Sequence, residues 1–490
     1  MKKLCAALLI GSLLVVGCSS DNTNRTTTTT KKSQPQGKVS FKPCGTFECA
    51  TISVPMDYKK PKERQIELAL IKKSAADPAK RIGVLLINPG GPGASGVDFA
   101  KTSIDYLFPD EILERFDIIG WDPRGVGQST RVECAESLDP LFDGVDYSPD
   151  SDQEFTQLKA ANAWIGEQCE KADNELLPHL STQASVLDMD SIRKQLGEDQ
   201  INYLGFSYGT ALGQLYAHKF PKNFRTMVID GVIDLESDPT QIAIDQALGF
   251  EDALNSFFEY CRTNTCTFAR GQDPAVAYGA IAQKIDATPM PSKKDPTFKL
   301  GPAQLDIGTS FSLYSGTRGW ETLDSALTAI LSDNPDSMLS GFSSYVGRNS
   351  TGKYDGSYAS FLSIGCADGN IGNANDLVDL AQSISSKAPL FGESGIYLGL
   401  PCTTWPGAKK AKAFDVDASG SAPILVIGTR GDPATPVQWA RKAAKDLKTG
   451  VYIELRGEGH TAYGQGSGCI NDVVDTYFLT AKEPSSQACT

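Results

Sequence analysis

Histidine is nearly absent from this chain. Three histidines, His179, His218 and His460, stand among 490 residues, so any mechanism that needs an imidazole has three candidates. No C-x-x-C pair occurs, which removes the ligand spacing of zinc ribbons and thioredoxin-like redox sites. No metal or organic cofactor is implied. Positive charge is in deficit, with 46 Lys and Arg against 59 Asp and Glu and a formal net charge of −13. That balance excludes a nucleic-acid-binding surface of the usual basic kind. The marked apolar run at the amino terminus, Ala6 to Val16, is too short to span a bilayer stably. There is no internal repeat. Oligomeric state is not legible.

The amino terminus reads as an address. Lys2 and Lys3 precede the apolar run, and Val15-Val16-Gly17-Cys18 follows it. The pattern resembles the bacterial lipobox, which implies cleavage after residue 17 and a diacylglycerol on Cys18. The alternative is an ordinary signal peptide cut nearby. Residues 18–40 are polar, with a Thr26 to Thr30 homopolymer, and read as a tether without a core. The expectation is an exported protein, lipid-anchored to the outer face of a bacterial cell membrane. Cysteine usage agrees. Of 12 cysteines, setting aside Cys5 and Cys18 leaves an even number, as disulfides require. The short loops Cys44/Cys49 and Cys261/Cys266 suggest local pairs. Cys134/Cys169, Cys366/Cys402 and Cys469/Cys489 are the next most economical, although spacing alone leaves connectivity open.

Strand-like runs recur at Thr51–Val54, Ile66–Lys72, Gly83–Ile87, Phe116–Gly120, Ile201–Leu204, Arg225–Ile229, Ile424–Ile427 and Val451–Leu455. With helical segments between them, they predict an α/β fold around a mainly parallel eight-stranded sheet. From about Leu235 to Asp415 the strand rhythm stops, and helical stretches such as Gln241–Thr263, Pro274–Ala287, Glu321–Leu331 and Ala374–Ser385 take over. The expected organisation is a core over 41–235, a helical lid over 236–415, and the rest of the core over 416–490.

Gly205-Phe206-Ser207-Tyr208-Gly209 is a G-x-S-x-G pattern between a strand and a helix, the setting of a nucleophile elbow. The turn crowds its flanks, so small residues are needed two before and two after the serine. Of the three histidines, His218 lies about two and a half turns along the following helix, and His179 precedes any acid in the expected order. His460 sits on a glycine-rich loop after the last strand and is the candidate base. Asp432, on the loop after the strand Ile424–Ile427, is the candidate acid that would orient it; an N-cap for the helix beginning at Thr435 is its structural alternative. Asp230 and Asp234 are further acids. Asn88-Pro89-Gly90-Gly91-Pro92-Gly93 follows another buried strand and offers backbone N–H groups. Those of Gly91 and Tyr208 are the candidate oxyanion donors.

These motifs in this order resemble a known family. Asn88 to Gly93 resembles the HGGPG loop of proline iminopeptidases, with Pro89 where that loop has histidine. Trp121-Asp122-Pro123-Arg124-Gly125-Val126-Gly127-Gln128-Ser129 resembles their D-x-R-G-x-G-x-S segment. With the Cys-rich carboxyl end, the chain from about Cys44 onward is similar to the secreted bacterial tripeptidyl aminopeptidases, which are α/β-hydrolases. The resemblance implies a serine exopeptidase acting on peptides with a free amino terminus and releasing short products, by resemblance tripeptides. A lid carboxylate would bind the substrate ammonium, with Asp368 and Glu259 as candidates, and a solvated surface acid as the plain alternative for each. A carboxylesterase or lipase would use the same triad. A non-catalytic surface lipoprotein would keep the motifs as relics. An epoxide hydrolase would need aspartate at the elbow, where Ser207 stands.

Overall fold

The computed structural model describes residues 39–490. The signal peptide, Cys18 and nearly all of the tether lie outside the described residues. Twelve strands are present: β1 (Lys42–Cys44), β2 (Phe47–Pro55), β3 (Gln65–Lys73), β4 (Gly83–Asn88), β5 (Phe116–Trp121), β6 (Ile201–Phe206), β7 (Phe224–Asp230), β8 (Met290–Pro291), β9 (Lys299–Leu300), β10 (Ile424–Gly431), β11 (Gly450–Glu458) and β12 (Gln487–Cys489). Ten form one sheet in the order β1-β2-β3-β5-β4-β6-β7-β10-β11-β12, and β8 and β9 make a separate hairpin. The sheet therefore exceeds the eight strands expected. The two additions, β1 and β12, are three-residue strands at its opposite edges, too short to show a periodicity. Short edge strands also leave little open edge for another chain to pair with.

From β5 through β12 neighbouring strands are parallel, while β1, β2, β3 and β5 meet antiparallel. Burial follows from that difference. β4 and β6 are buried at every residue, as continuous apolar strands covered on both faces must be. Successive side chains alternate between faces. Val84, Leu86, Ile424 and Val426 enter a core shared with the helices Thr182–Leu196 and Tyr208–Lys219. Leu85, Ile87, Leu425 and Ile427 enter the opposite core, with Val97, Ala100 and Ile104 of the helix Gly96–Leu107 and Val474 and Phe478 of the helix Gly468–Thr480.

Between β7 and β10 the chain is mostly helical. Pro239–Asn264, Pro274–Ala287, Pro302–Tyr314, Thr317–Ile330, Asp336–Val346, Ser357–Asp368 and Ala374–Ile384 are its longer helices. Three of these, Pro302–Tyr314, Asp336–Val346 and Ser357–Asp368, were not apparent from periodicity, and the β8–β9 hairpin interrupts the helical run. Five disulfides join Cys44–Cys49, Cys134–Cys169, Cys261–Cys266, Cys366–Cys402 and Cys469–Cys489, the pairs that proximity in sequence had singled out. The first ties β1 to β2, and the last ties β12 to the helix Gly468–Thr480.

Candidate active site

Ser207 is the single residue between β6 and the helix Tyr208–Lys219, with φ 53° and ψ −122°. A non-glycine residue at positive φ is strained, and here the neighbours are built around it. A Cβ on Gly205 would strike the Gly209 carbonyl, and one on Gly209 would come within 2.8 Å of Asn88 Oδ1. On Gly90, at φ 96°, a Cβ would lie 2.5 Å from the Phe206 carbonyl and 2.8 Å from Ser207 Cβ. The Asn88–Gly93 loop is thus pressed against the elbow. Gly90 N–H donates to Asn88 Oδ1 at 3.0 Å. The N–H groups of Gly91 and Tyr208 have no hydrogen-bond partner among the described residues.

Asp432 and His460 meet at the ends of β10 and β11. Both carboxylate oxygens lie 2.9 Å from His460 Nδ1. Asp432 is 4% exposed and is held by four further donors. Its Oδ1 accepts from the N–H of Ala434 (2.9 Å) and Thr435 (2.8 Å), and its Oδ2 from Thr435 Oγ1 (2.8 Å) and Thr461 N–H (3.2 Å). Burial draws the His460 pKa down, but the charge and hydrogen bond of Asp432, with the charge of Asp230 behind them, outweigh it and the net displacement is upward. With Nδ1 committed to Asp432, Nε2 is buried without a partner. The side chains of His460 and Ser207 both lie at the end of β7. Ser207 N–H donates to the Asp230 carbonyl at 2.9 Å, and a Cβ on the next residue, Gly231, would meet His460 Cε1 at 3.1 Å. No hydrogen bond joins Ser207 Oγ to Nε2 in this state; such contacts commonly tighten only with substrate bound.

The remaining sequence candidates fall into place. Asp230 accepts from the N–H groups of Ala462 and Tyr463 at 2.8–3.1 Å and so secures the histidine loop without touching the imidazole; burial pushes its pKa up to about 7. Asp234 pairs with Lys442 at 3.0 Å. His218 is near Asp417 on the surface, and the His179 carbonyl accepts from Arg124 at 2.9 Å. Arg124 itself is buried in a bidentate pair with Asp188, at 2.7 Å through both Nε and Nη2. Asp122 accepts from Ser95 Oγ, Val97 N–H and Gln128 N–H. The Asp122–Ser129 segment is therefore a scaffold for the loops around the site.

Neither acid expected to receive the substrate ammonium is placed for it. The Glu259 side chain is 72% exposed and pairs with Arg262, since it lies on the outer face of the helix Pro239–Asn264. The Asp368 oxygens accept from Thr182 N–H (2.8 Å) and Thr182 Oγ1. Thr182 Oγ1 in turn lies 2.6 Å from the Tyr208 hydroxyl. Asp368 thus ties the helical insertion to the residue beside Ser207.

Two further residues touch His460. Thr435 Oγ1 lies 3.3 Å from His460 Nδ1. Tyr314, at the end of the helix Pro302–Tyr314, accepts the His460 N–H on its carbonyl at 2.8 Å. Its ring stands edge-on to the imidazole, 5.2 Å between centroids.

Family comparison identifies the fold and the class of chemistry. Residues 388–489 match the model described as TAP-like protein, and residues 83–302 the one described as alpha/beta hydrolase fold. The chain is 31% identical to a Mycobacterium tuberculosis protein named Serine protease Hip1, over 94% of this chain and 89% of that one. The chain belongs to the tripeptidyl aminopeptidase-like family of α/β-hydrolases. It is 29% identical to the Tripeptidyl aminopeptidase of Streptomyces lividans, over 89% of this chain and 82% of the relative. Identity to a Mycobacterium tuberculosis protein named Carboxylesterase B is 34%, over 91% and 86% of the two chains. Members of this family with the site described here are serine hydrolases, and this chain is one of them.

Proposed function

We propose that this enzyme is a serine exopeptidase that releases short peptides, tripeptides by family likeness, from free amino termini. The observation that carries the catalytic assignment is the buried Asp432–His460 pair, 2.9 Å apart, with Nε2 unpartnered and the ring against Gly231, next to the residue whose carbonyl holds the Ser207 N–H. In this reading Ser207 Oγ attacks the scissile carbonyl and its proton passes to His460 Nε2. Asp432 holds the tautomer with the proton on Nδ1 and stabilises the imidazolium without taking the proton. The oxyanion forms against the N–H groups of Gly91 and Tyr208, which are free to donate. His460 returns the proton to the leaving amine. Water, activated by the same base, then releases the acyl group from Ser207.

The helical insertion between β7 and β10 serves as the lid, because Tyr314 contacts the imidazole by both ring and backbone. Export and a lipid anchor on Cys18 fit the disulfide count, since such bonds persist in oxidising compartments. No helix among the described residues is long and apolar enough to cross a membrane. The relative named Carboxylesterase B supports esterase action as the second reading.

A fluorophosphonate probe with parallel peptide and ester panels tests the proposal. Wild-type enzyme is expected to be labelled and to cleave tripeptidyl p-nitroanilides, and Ser207→Ala to fold and lose both. Labelling of Ser207→Ala at the wild-type rate would remove the nucleophile assignment. Ester turnover without any peptide cleavage would favour the second reading.

A further inference from the structure

Among the helices of the insertion is a cavity of about 60 Å³, room for a terminal group and not for a folded segment. Aromatic and aliphatic side chains line it, among them Phe250, Tyr345, Tyr358, Phe361 and Phe391. One end adjoins the chemistry by two routes. Phe250 packs on Tyr314 at 5.5 Å, and Tyr314 on His460 at 5.2 Å. On the other side, the Phe361 backbone lies against Gly93, where a Cβ would meet Phe361 N at 2.7 Å. One carboxyl group lines the cavity, that of Asp306. It has no cation within salt-bridge distance among the described residues, whereas the buried Asp188 is paired with Arg124.

We infer that Asp306 is the site that receives the α-ammonium of the substrate. The inference rests on the exopeptidase reading and prefers Asp306 to Glu259, which faces solvent, and to Asp368, which is engaged by Thr182.

Three observations support it. The first is the lack of a cationic partner. A carboxylate in an apolar site is costly unless paired; burial pushes this one up to about 7 against a hydrogen bond with Ser394, and the charge of Asp146 adds to the rise. An arriving ammonium provides the missing counter-charge, and the side chains around it are mostly apolar.

The second is the field. Asp146 and Asp150 also raise the pKa of Glu393, so several carboxylates make this region negative and attractive to a cation.

The third is length. Asp306 and Tyr314 lie on one helix, and Ala303, Asp306, Ile307 and Ser310 all line the cavity from it, as residues three and four apart on a single face do. Eight residues at 1.5 Å rise separate Asp306 from Tyr314 by about 12 Å. Three extended residues span about 10–11 Å. In the inferred pose, with the scissile carbonyl at Ser207 beside the imidazole that Tyr314 touches, the reach of a tripeptidyl group matches this rise and that of an aminoacyl group falls short of it. The helix Pro302–Tyr314 acts as a ruler for product length.

The test uses the full-length enzyme, with kcat and KM measured for Ala-Ala-Ala-p-nitroanilide, its N-acetyl form, Ala-p-nitroanilide and p-nitrophenyl butyrate. Wild type is expected to prefer the free tripeptidyl amine over both other anilides by about 30-fold or more, the range set by losing a desolvated charge partner. Asp306→Asn is expected to lose that preference, chiefly through KM, with butyrate turnover retained. Equal wild-type rates on free and acetylated tripeptides overturn the inference whatever the variant does. So does an Asp306→Asn enzyme that keeps its preference for the free amine. A requirement for lysine next to the scissile bond, with indifference to acetylation, would assign the carboxylate to a side-chain ammonium and overturn it as well. Each of these results leaves ester hydrolysis and fluorophosphonate labelling intact, and so is distinct from failure of the serine hydrolase mechanism.

Discussion

Replacing Asp432 with asparagine separates the two buried acids near the imidazole. Five donors converge on the Asp432 carboxylate: three backbone N–H groups, the Thr435 hydroxyl and His460 Nδ1. Asparagine keeps one acceptor. If its oxygen stays with the N–H groups of Ala434 and Thr435, its amide nitrogen faces Nδ1 and Thr461 N–H. Nδ1 must then accept, the imidazole proton moves to Nε2, and Nε2 can no longer take the Ser207 proton. The expected loss in kcat is about 10³–10⁴-fold, or about 4–5.5 kcal/mol of barrier. Asp230→Asn removes a group whose pKa is about 7, so the neutral form is already well populated near neutrality. Its loss is expected to stay within about tenfold, or about 1.4 kcal/mol. The assay is kcat/KM on a tripeptidyl p-nitroanilide across pH, alongside fluorophosphonate labelling. In the wild type the acid limb should lie above the ordinary histidine value, because Asp432 outweighs burial at His460. In Asp432→Asn the residual activity should have its acid limb moved downward, since burial then acts with less opposition. An Asp432→Asn enzyme within tenfold of wild type, or Asp230→Asn falling as far as Asp432→Asn, would refute this reasoning.

Gly90→Ala should both unfold more easily and lose activity. Positive φ costs alanine about 1–2 kcal/mol, and the new methyl meets Phe206 O and Ser207 Cβ; thermal denaturation of the variant checks this, and an unchanged midpoint would contradict it. Cys18→Ser should release the protein from the membrane fraction or stall its processing, since acyl chains hold by about 0.8 kcal/mol per buried CH₂; fractionation of cells reads the outcome. Asp306→Asn should be more thermostable than wild type at pH 8 and no more stable near pH 3. The folded pKa of Asp306 is raised from 3.8 to about 7, so deprotonation favours the unfolded chain progressively across that interval and fully above it. A constant difference in Tm from pH 3 to pH 8 would count against an unpaired carboxylate.

What could be read from the chain is what local chemistry dictates. The elbow serine is flanked by glycines because a side chain at 205 or 209 collides with backbone or with Asn88. The buried strands are continuous apolar runs because both faces of β4 and β6 are covered. Asp432 and His460 stand at the ends of the neighbouring strands β10 and β11, so strand order alone brings them together. β1 and β12 escaped notice because three residues show no period, and their stability comes from pairing and from Cys44–Cys49 and Cys469–Cys489.

The acids of the insertion illustrate the opposite case. Helical periodicity tells which residues share a face, but not which helix that face will meet. Glu259 and Asp368 are as acidic as Asp306, and nothing local separates the three. Glu259 turns outward to Arg262, and Asp368 turns down onto Thr182 and so, through it, to Tyr208. Only Asp306 faces an aromatic cavity without a cation. That difference arises when helices far apart in the chain close around one space. In the proposed reading the core carries its chemistry in short motifs, and the choice of substrate falls to the packing of the insertion. Relatives of about 30% identity to this chain accordingly carry names as different as protease, aminopeptidase and carboxylesterase.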